Sequence, residues 1–356
     1  GSEMCIRDRR DMADVKVVSR PKMDGYGDGI DLSGNLLFAS TGHHSIVSGK
    51  TKAERFGNGH GLEIFDISDI SNPRKISSVK FPKFYYIGND FWTPRCSGNT
   101  VFAADTFNGL FAVDISDLKN PRIAGRITTP SAKEGAPSSP ISSVVVADGA
   151  VYVSSLNYGV MAVECPNARA SSGAKGVLPK NPSYRAQYSE DSEKFFVWKP
   201  DRSVQVRAVA VNGDVAYAAC GAEGIVVLKL SDSGFEKIGR IEMPFAGDVK
   251  IKGGRLYAAE GQNGLAVYDI DPDSPEKLSE IGRLESLSPE SSLVLWVWVP
   301  GGNFVVATDR VGGIFFVDAR DLKNMKVVFR KGGCPGWNKY FSDGIVAVSY
   351  THLTLP

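Results

Sequence analysis

The sequence is short of the features that mark several common classes of protein. It has five cysteines and four histidines among 356 residues, and no two cysteines stand in a C-x-x-C spacing. Neither a disulfide framework nor a zinc-binding cysteine cluster is therefore indicated. Basic and acidic residues number 41 and 40, so no excess of positive charge points to a nucleic-acid partner. No apolar run reaches the roughly 18 residues that a transmembrane helix needs.

Glycine and proline are plentiful, with 38 and 19 residues, and they accompany a repeated phrase. The segment GLEIFDISDISNPRKI begins at Gly61, and GLFAVDISDLKNPRIAGRI begins at Gly109. The apolar run before the first aspartate has six copies, at intervals of roughly 40 to 65 residues. The copies are 62–66, 110–114, 160–164, 225–229, 265–269 and 314–318. Short strands repeated at this period are typical of the blades of a β-propeller.

Residues 204–243 show the anatomy of one repeat. Two apolar strands flank a tight turn at 212–214, a buried strand follows a short loop, and KIGRIEM, residues 237–243, alternates as an outer strand does. At the chain ends, 14–23 reads as an outer strand and 332–347 as the first two strands of the same blade. The predicted fold class is all-β, a seven-bladed β-propeller of four-stranded antiparallel blades. Its last blade is closed by the N-terminal strand and is incomplete at the C-terminus.

We assign the propeller to residues 10–347. The predicted blades occupy 27–82, 83–130, 140–203, 204–244, 245–288, 289–331, and 332–347 together with 14–23. Residues 1–9 and 348–356 interrupt the pattern and resemble translated sequencing-adapter sequence, so both are left out of the predicted fold as artefacts. We expect the native chain to be longer at both ends, so a signal peptide cannot be checked. Residues 166–203 read as an exposed insertion that either docks a partner or is simply tolerated.

The aspartates of the repeated DIS-D phrase have two readings. Clustered carboxylates can bind calcium, but these recur once per blade and should lie far apart. An aspartate at the end of a strand also accepts hydrogen bonds from backbone N–H groups and so shapes a turn. We favour the structural interpretation.

The phrases GLFAVDISDLKNPRIAG and NGLAVYDIDPDSPEKL resemble the LVIVD repeat, a propeller repeat of bacteria and archaea. The resemblance covers roughly residues 27–330 and is strongest in the first, second and fifth blades. It implies a propeller and, more loosely, a periplasmic, extracellular or cell-surface location. The family has no established catalytic residues, so the resemblance implies none for this chain.

One loop sets the first repeat apart from the others. Residues 41–61, between the second and third strands, hold three of the four histidines. Such loops open at one end of the central channel, together with the segments that lead into each blade. Because long loops on a rigid scaffold often carry function, we expect a ligand-binding face at that end. Its candidate residues are His43, His44, His60, Asp90, Trp92, Arg95, Asp105, Asn157, Glu223, Glu260, Asp309 and Trp337.

Two functions fit these observations. We favour a non-catalytic binding or scaffold propeller, exported and without a cofactor, that presents the channel mouth to a protein or a glycan. The alternative is a propeller hydrolase or lyase that uses a divalent metal ion at the channel mouth. Its candidate ligands are His43, His44 and His60, since imidazoles with a carboxylate suit such metals. No H-x-H or H-E-x-x-H spacing supports that site, and histidines that simply order the loop are the simpler reading.

Overall fold

The computed structural model describes residues 4–8, 16–24, 27–41, 61–82, 93–105, 109–127, 140–147, 150–156, 158–164, 195–198, 200, 204–231, 233–289, 293–301, 303–309, 313–331, 339–342 and 345–349. These residues form 28 β-strands and one short 3-10 helix, Leu322–Asn324. All the strands belong to four-stranded antiparallel sheets, as the all-β prediction requires.

Strands β1 (Met4–Asp8) and β2 (Lys16–Ser19) come from the N-terminal part of the chain. Six blades follow, each made of four strands that are consecutive in the chain. The first two are β3 (Gly27–Ser33), β4 (Leu36–Thr41), β5 (Gly61–Asp66) and β6 (Arg74–Lys80), then β7 (Pro94–Ser97), β8 (Thr100–Ala104), β9 (Leu110–Asp114) and β10 (Arg122–Ile127). The third and fourth are β11 (Ile141–Ala147), β12 (Ala150–Ser155), β13 (Gly159–Glu164) and β14 (Phe195–Trp198), then β15 (Ala208–Asn212), β16 (Val215–Ala219), β17 (Ile225–Ser231) and β18 (Gly234–Ile241). The fifth and sixth are β19 (Asp248–Lys252), β20 (Arg255–Ala259), β21 (Leu265–Ile270) and β22 (Leu278–Leu284), then β23 (Val294–Gly301), β24 (Phe304–Asp309), β25 (Gly313–Asp318) and β26 (Lys326–Lys331). The chain ends with β27 (Lys339–Ser342) and β28 (Ile345–Ser349).

The two chain ends form one further sheet, and this sheet corrects the predicted fold class. Its strand order is β2-β1-β28-β27. We predicted a last blade without its third strand, whereas Met4–Asp8 fills that position by pairing with both β28 and β2. The fold is thus six blades of consecutive strands plus a complete sheet built from both chain ends, not seven blades with the last incomplete. The prediction failed because residues 1–9 were set aside as foreign.

Other predictions about strand order are confirmed. Residues within 14–23 do form the outer strand of the sheet that contains β27 and β28. All six copies of the repeated motif lie in third strands, namely β5, β9, β13, β17, β21 and β25. The segment 166–203 is more than an insertion, because its residues Phe195–Trp198 form the outer strand of the third blade.

Third strands are apolar on both faces because each sheet lies between two neighbours. On β5, Leu62 and Ile64 pack against the second blade, while Phe65 packs on the opposite side with Met23 and Leu37. Burying each of these side chains contributes about 2–3 kcal/mol to stability. Inner strands contact one another in chain order, and β27 contacts both β23 and β3. The sheet from the chain ends therefore closes the ring between the sixth and first blades.

The outer strands other than β14 share a bulge opposite the third strand. One extra residue is inserted opposite the third strand, for example Ile76 in β6 and Ile238 in β18. Strand β2 has the same irregularity at Val18, so the closing sheet copies this feature of the blades. The next residue reaches the turn of the following sheet. The Ser19 hydroxyl donates to the Ile70 carbonyl at 2.6 Å, and that of Ser77 donates to the Leu118 carbonyl at 2.5 Å.

A buried carboxylate anchors the segment after β2 to the first blade. The side chain of Glu63 is fully buried, and its Oε1 accepts a hydrogen bond from the Asp24 backbone N–H at 2.9 Å. Lys75 Nζ lies 2.9 Å from Glu63 Oε2 and 2.7 Å from Asp24 Oδ2. Burial raises the pKa of Glu63, although Lys75 acts in the opposite direction. The group ties the N-terminal segment, and with it the closing sheet, to the first blade.

The repeated DIS-D phrase of the first and second blades is explained by hydrogen bonds within the turn after the third strand. Asp114 Oδ1 accepts from the backbone N–H of Ser116 at 2.9 Å and from its hydroxyl at 2.6 Å. Asp114 Oδ2 accepts from Arg122 Nη2 at 2.7 Å, which joins the third strand to the outer strand. Asp66 makes the same contacts with Ser68 and Arg74 in the first blade. The structural interpretation of the motif is therefore confirmed.

Replacing Asp114 by alanine should lower the free energy of unfolding by about 1 kcal/mol, because the turn loses its acceptor. Burial raises the pKa of Asp114, but hydrogen bonds from Ser116 and Arg122 outweigh it and lower the pKa overall. A carboxylate with a lowered pKa stabilises the fold above its unfolded pKa and loses that effect as pH falls. Urea unfolding should show the full difference between wild type and variant near pH 7 and a shrinking one below about pH 4. A difference unchanged at pH 3 would contradict this account.

Two glycines with positive φ differ in what surrounds them. Gly264 (φ 80°) closes the loop between β20 and β21, and a Cβ there would lie 2.0 Å from the Leu284 carbonyl oxygen. Gly253 (φ 59°) lies in the hairpin between β19 and β20, and a Cβ there would have nothing within 4 Å. Both positions strain an L-residue, but only the first also produces a collision with backbone.

Gly264→Ala should therefore lower the free energy of unfolding by about 3 kcal/mol or more, and Gly253→Ala by about 1 kcal/mol. The second variant is the matched control, since it changes the same residue type in the same blade. Thermal or urea unfolding measures both. Equal losses of stability would show that backbone conformation, and not close packing, sets the requirement for glycine at 264.

Candidate functional site

The antiparallel strand order determines which segments meet at each end of the channel. Every second strand returns to the end where its inner strand begins. The loops between second and third strands therefore share that end with the starts of the inner strands, and we call it the loop end. The turns that hold Asp66 and Asp114 lie at the opposite end.

At the loop end, the starts of the inner strands of all six blades surround a cavity of about 40 Å³. A cavity of this size holds a few water molecules or one small ion. Its charged lining residues are Arg95, Arg207, Asp248 and Lys250, and its aromatic lining residues are Trp296 and Trp298. The side chains come from the second, fourth, fifth and sixth blades. Residues far apart in the chain are thus brought together around the channel axis.

Asp248 is the one carboxylate among the described residues that line this cavity, and it is almost fully buried. Its Oδ1 accepts from the Val249 backbone N–H at 2.9 Å and also from Lys250 Nζ. Its Oδ2 accepts from the Val297 backbone N–H at 3.1 Å, which links the inner strands of the fifth and sixth blades. Asp248 therefore both pairs with one cation and fixes the position of the next blade.

Similar hydrogen bonds hold the other inner strands in place. The Cys96 backbone N–H donates to Asp31 Oδ2 at 2.5 Å, between the first and second blades. The Ser142 hydroxyl donates to the Val206 carbonyl at 2.8 Å, between the third and fourth blades. These links make the wall of the cavity a rigid part of the ring.

Burial makes the charges of the cavity less favourable than they are in water. It lowers the pKa of Lys250, and nearby Arg95 acts in the same direction while Asp248 opposes both. Burial also lowers the pKa of Arg207, against the attraction of Asp248. The Arg207 guanidinium lies 5.4 Å from the centre of the Phe245 ring, a cation–π contact. The described lining thus contains three cations and one carboxylate.

The structure places five of the predicted site residues among those it describes. Arg95 lines the cavity. Asp105, Glu260 and Asp309 stand at the ends of second strands and are buried inside the sheets. Asp309 Oδ2 accepts from the Leu293 backbone N–H at 2.7 Å. Glu223 lies in the turn between β16 and β17 and forms an ion pair with Arg240 at 3.1 Å.

Glu260 takes part in a hydrogen-bond network inside the fifth blade. Its Oε1 accepts from the Tyr268 hydroxyl, and its Oε2 lies 3.0 Å from Arg283 Nη1. Arg283 also donates to the Asn263 carbonyl at 2.9 Å and pairs with Glu280. The pKa of Tyr268 is raised by burial and by its bond to Glu260, whereas that of Arg283 is raised chiefly by Glu280. The carboxylate is occupied by the fold and does not line the cavity.

The remaining predicted site residues lie outside the described part of the chain. They are His43, His44, His60, Asp90, Trp92, Asn157 and Trp337. Among the residues that the structure does describe, no three His, Cys, Asp or Glu side chains are grouped so as to hold a metal ion. The candidate metal ligands His43, His44 and His60 stay a prediction.

Sequence reasoning missed Arg207, Asp248 and Lys250 as members of a site. Each stands at or near the start of an inner strand, where the repeat is least regular. Aligning the starts of the first strands, instead of the third strands, would have shown charged residues at related positions. Trp296 and Trp298 lie near the start of a blade in the sequence, where a large side chain either wedges between sheets or joins an aromatic ring at the channel mouth.

Cys96 and Cys220 are poor nucleophiles. Burial raises the pKa of Cys96 to about 11 and that of Cys220 to about 12. Thiolate, the reactive form, is thus scarce at neutral pH.

No helix among the described residues is long and apolar enough to cross a membrane.

Comparison with known proteins supports the repeat and the fold. Residues 57–80, 95–129 and 245–283 match the LVIVD repeat, and they lie in the three blades where the resemblance is strongest. No curated protein sequence matches the chain. A "putative 6-phosphogluconolactonase" from Bacteroides fragilis is similar in structure, with a TM-score of 0.61 and 11% identity over 98% of both chains. One of the same description from Bacteroides uniformis gives 0.59 and 14%, over 92% of this chain and 95% of the other.

A chain of the COPII outer coat vertex on membranes gives a TM-score of 0.55 and 13% identity, over 93% of this chain and 85% of the other. At these identities, each likeness shows the fold alone. A fold shared by proteins of such different descriptions does not select a function.

Glu260→Ala should lower the free energy of unfolding by about 2–3 kcal/mol, because it leaves the Tyr268 hydroxyl and Arg283 without their shared partner. Glu223→Ala is the matched control, since its ion pair with Arg240 is partly exposed and should contribute less than about 1 kcal/mol. Urea unfolding of both variants gives the comparison. Similar small losses in the two would show that the Glu260 network does not stabilise the fifth blade.

Proposed function

This chain is a β-propeller that carries LVIVD repeats, and we propose that it is a non-catalytic binding protein that presents the loop end of its channel to a protein or glycan ligand. The proposal includes a location outside the cytoplasm, which rests on the resemblance to LVIVD repeats and not on any single residue.

The observation that carries the proposal is the composition of the channel cavity. Arginine and tryptophan side chains line it together with one lysine, and arginine and tryptophan are frequent at the energetic centres of binding sites. The carboxylates Glu260 and Asp309, which could act as general acids or bases, are bonded within the sheets instead. The side chains available to a ligand therefore favour recognition over acid–base chemistry.

Cross-blade hydrogen bonds support the same conclusion. Hydrogen bonds between blades, such as the one that Asp248 accepts from the Val297 backbone N–H, hold the inner strands in place. The side chains that line the cavity are therefore already in position before a ligand binds. A ligand then meets a preformed surface and loses little free energy to ordering it.

The test is a screen of glycans and peptides against purified protein, with variants at the cavity and at the predicted rim. Arg95→Ala and Trp296→Ala should weaken binding by about tenfold or more, because each removes a side chain of the type that dominates binding energy. Trp92→Ala and His60→Ala examine the rim predicted from the sequence. Surface plasmon resonance gives the affinities.

Arg122→Ala is the control, because Arg122 is exposed and pairs with Asp114 at the opposite end of the channel. Unchanged binding in every cavity and rim variant would remove the loop end as the binding face. Metal analysis of the same preparations examines the alternative enzyme. Stoichiometric metal that is lost when His43, His44 and His60 are replaced by alanine would favour the hydrolase or lyase instead.

A further inference from the structure

The channel cavity holds more positive than negative charge. Three of its described lining residues are cations, namely Arg95, Arg207 and Lys250, and one is a carboxylate, Asp248. Buried charges without partners are unfavourable, so native proteins usually pair them. The imbalance at this end of the channel therefore requires a physical explanation.

Asp248 already pairs with Lys250 and makes no hydrogen bond to Arg207 Nε. Its two oxygens accept from Lys250 Nζ and from the backbone N–H groups of Val249 and Val297. Arg207 Nε is buried and has no hydrogen-bond partner among the described residues. An arginine has five N–H donors in a planar fork, which suits the oxygens of a carboxylate or phosphate.

We propose that the cavity binds one acidic group of the ligand, a carboxylate or phosphate oxyanion, through Arg207, Lys250 and Arg95. This inference rests on the proposed binding function and identifies the part of the ligand that enters the channel. An anion in the cavity offsets the burial of these cations. It would also favour the charged forms of Arg207 and Lys250, whose pKa values burial now lowers.

The size of the cavity limits what can enter it. A volume of about 40 Å³ accepts a group the size of a few water molecules and is too small for a sugar ring. The acidic group would enter end-on from the loop end, and the rest of the ligand would lie across the rim. Trp296 and Trp298 then provide apolar contact for the atoms next to the acidic group.

The experiment measures the binding of small anions to the full chain by isothermal titration calorimetry. Sodium acetate and sodium phosphate are titrated separately at matched ionic strength, with sodium chloride as the reference salt. Saturable binding of acetate, of phosphate or of both is expected, and the stronger of the two identifies the source of the acidic group. No saturable binding of either oxyanion would overturn the proposal.

Variants decide whether the binding occurs at this cavity. Arg207→Gln and Lys250→Met should each weaken oxyanion binding by about tenfold or more, since each removes a charge-assisted hydrogen bond. Arg240→Gln is the control, because Arg240 pairs with Glu223 away from the cavity lining. Two independent variants are used so that a folding defect in one, seen by circular dichroism, leaves the other informative. Equal affinity in wild type and in a folded cavity variant would overturn the proposal.

The outcome is separable from that of the glycan and peptide screen. Oxyanion binding without a hit in the screen would support the acidic site and argue against the proposed ligand classes. A hit that is neutral and binds equally well in Arg207→Gln would support the binding function and overturn the acidic site.

Discussion

Each repeat of this protein makes a sheet that is apolar on both faces, and the rest of the structure follows from the need to bury both. Third strands such as Leu110–Asp114 are buried along almost their whole length. Leaving one face in water would lose about 2 kcal/mol for each large apolar side chain. A linear stack of such sheets exposes two faces, whereas a ring exposes none. The chain closes the ring by combining strands from both of its ends, and the segment anchored by Glu63 holds that sheet against the first blade.

Closure of the ring also separates the charges by role. Carboxylates at the turn end, namely Asp66, Asp114 and Asp318, pair with a nearby arginine and shape the turn after their third strands. Carboxylates at the loop end, such as Glu260 and Asp309, are buried. Each accepts hydrogen bonds from groups of its own blade. Among the cations near the starts of the inner strands, Arg207 has a buried Nε without a hydrogen-bond partner among the described residues. The acidic side chains at both ends of the channel are thus engaged in hydrogen bonds and ion pairs within the propeller.

The parts of the repeat that resemble one another are those that pack, and the parts that differ are those that line the channel. Third strands have similar apolar sequences because each one packs between two neighbouring sheets. By strand register, Ser142, Arg207 and Gly247 precede equivalent residues of three inner strands, yet they differ in size and charge. Sheets that pack in the same way can therefore surround a cavity whose lining residues are not related by symmetry. Similarity of fold to other propellers does not indicate a ligand for such a cavity.

The sequence by itself determined the four-stranded repeat, the third strands, the DIS-D turns and the outer strand contributed by the N-terminal part of the chain. These features depend on alternation and turn chemistry within about ten neighbouring residues, which can be read directly. Only the tertiary structure showed that Met4–Asp8 completes the closing sheet, that Glu260 and Asp309 are buried, and that Arg207, Lys250 and Trp296 meet Arg95. That convergence depends on how far each inner strand lies from a common axis and which way it faces. No local sequence pattern encodes this geometry, because the channel axis is defined only when all the sheets have assembled into a closed ring.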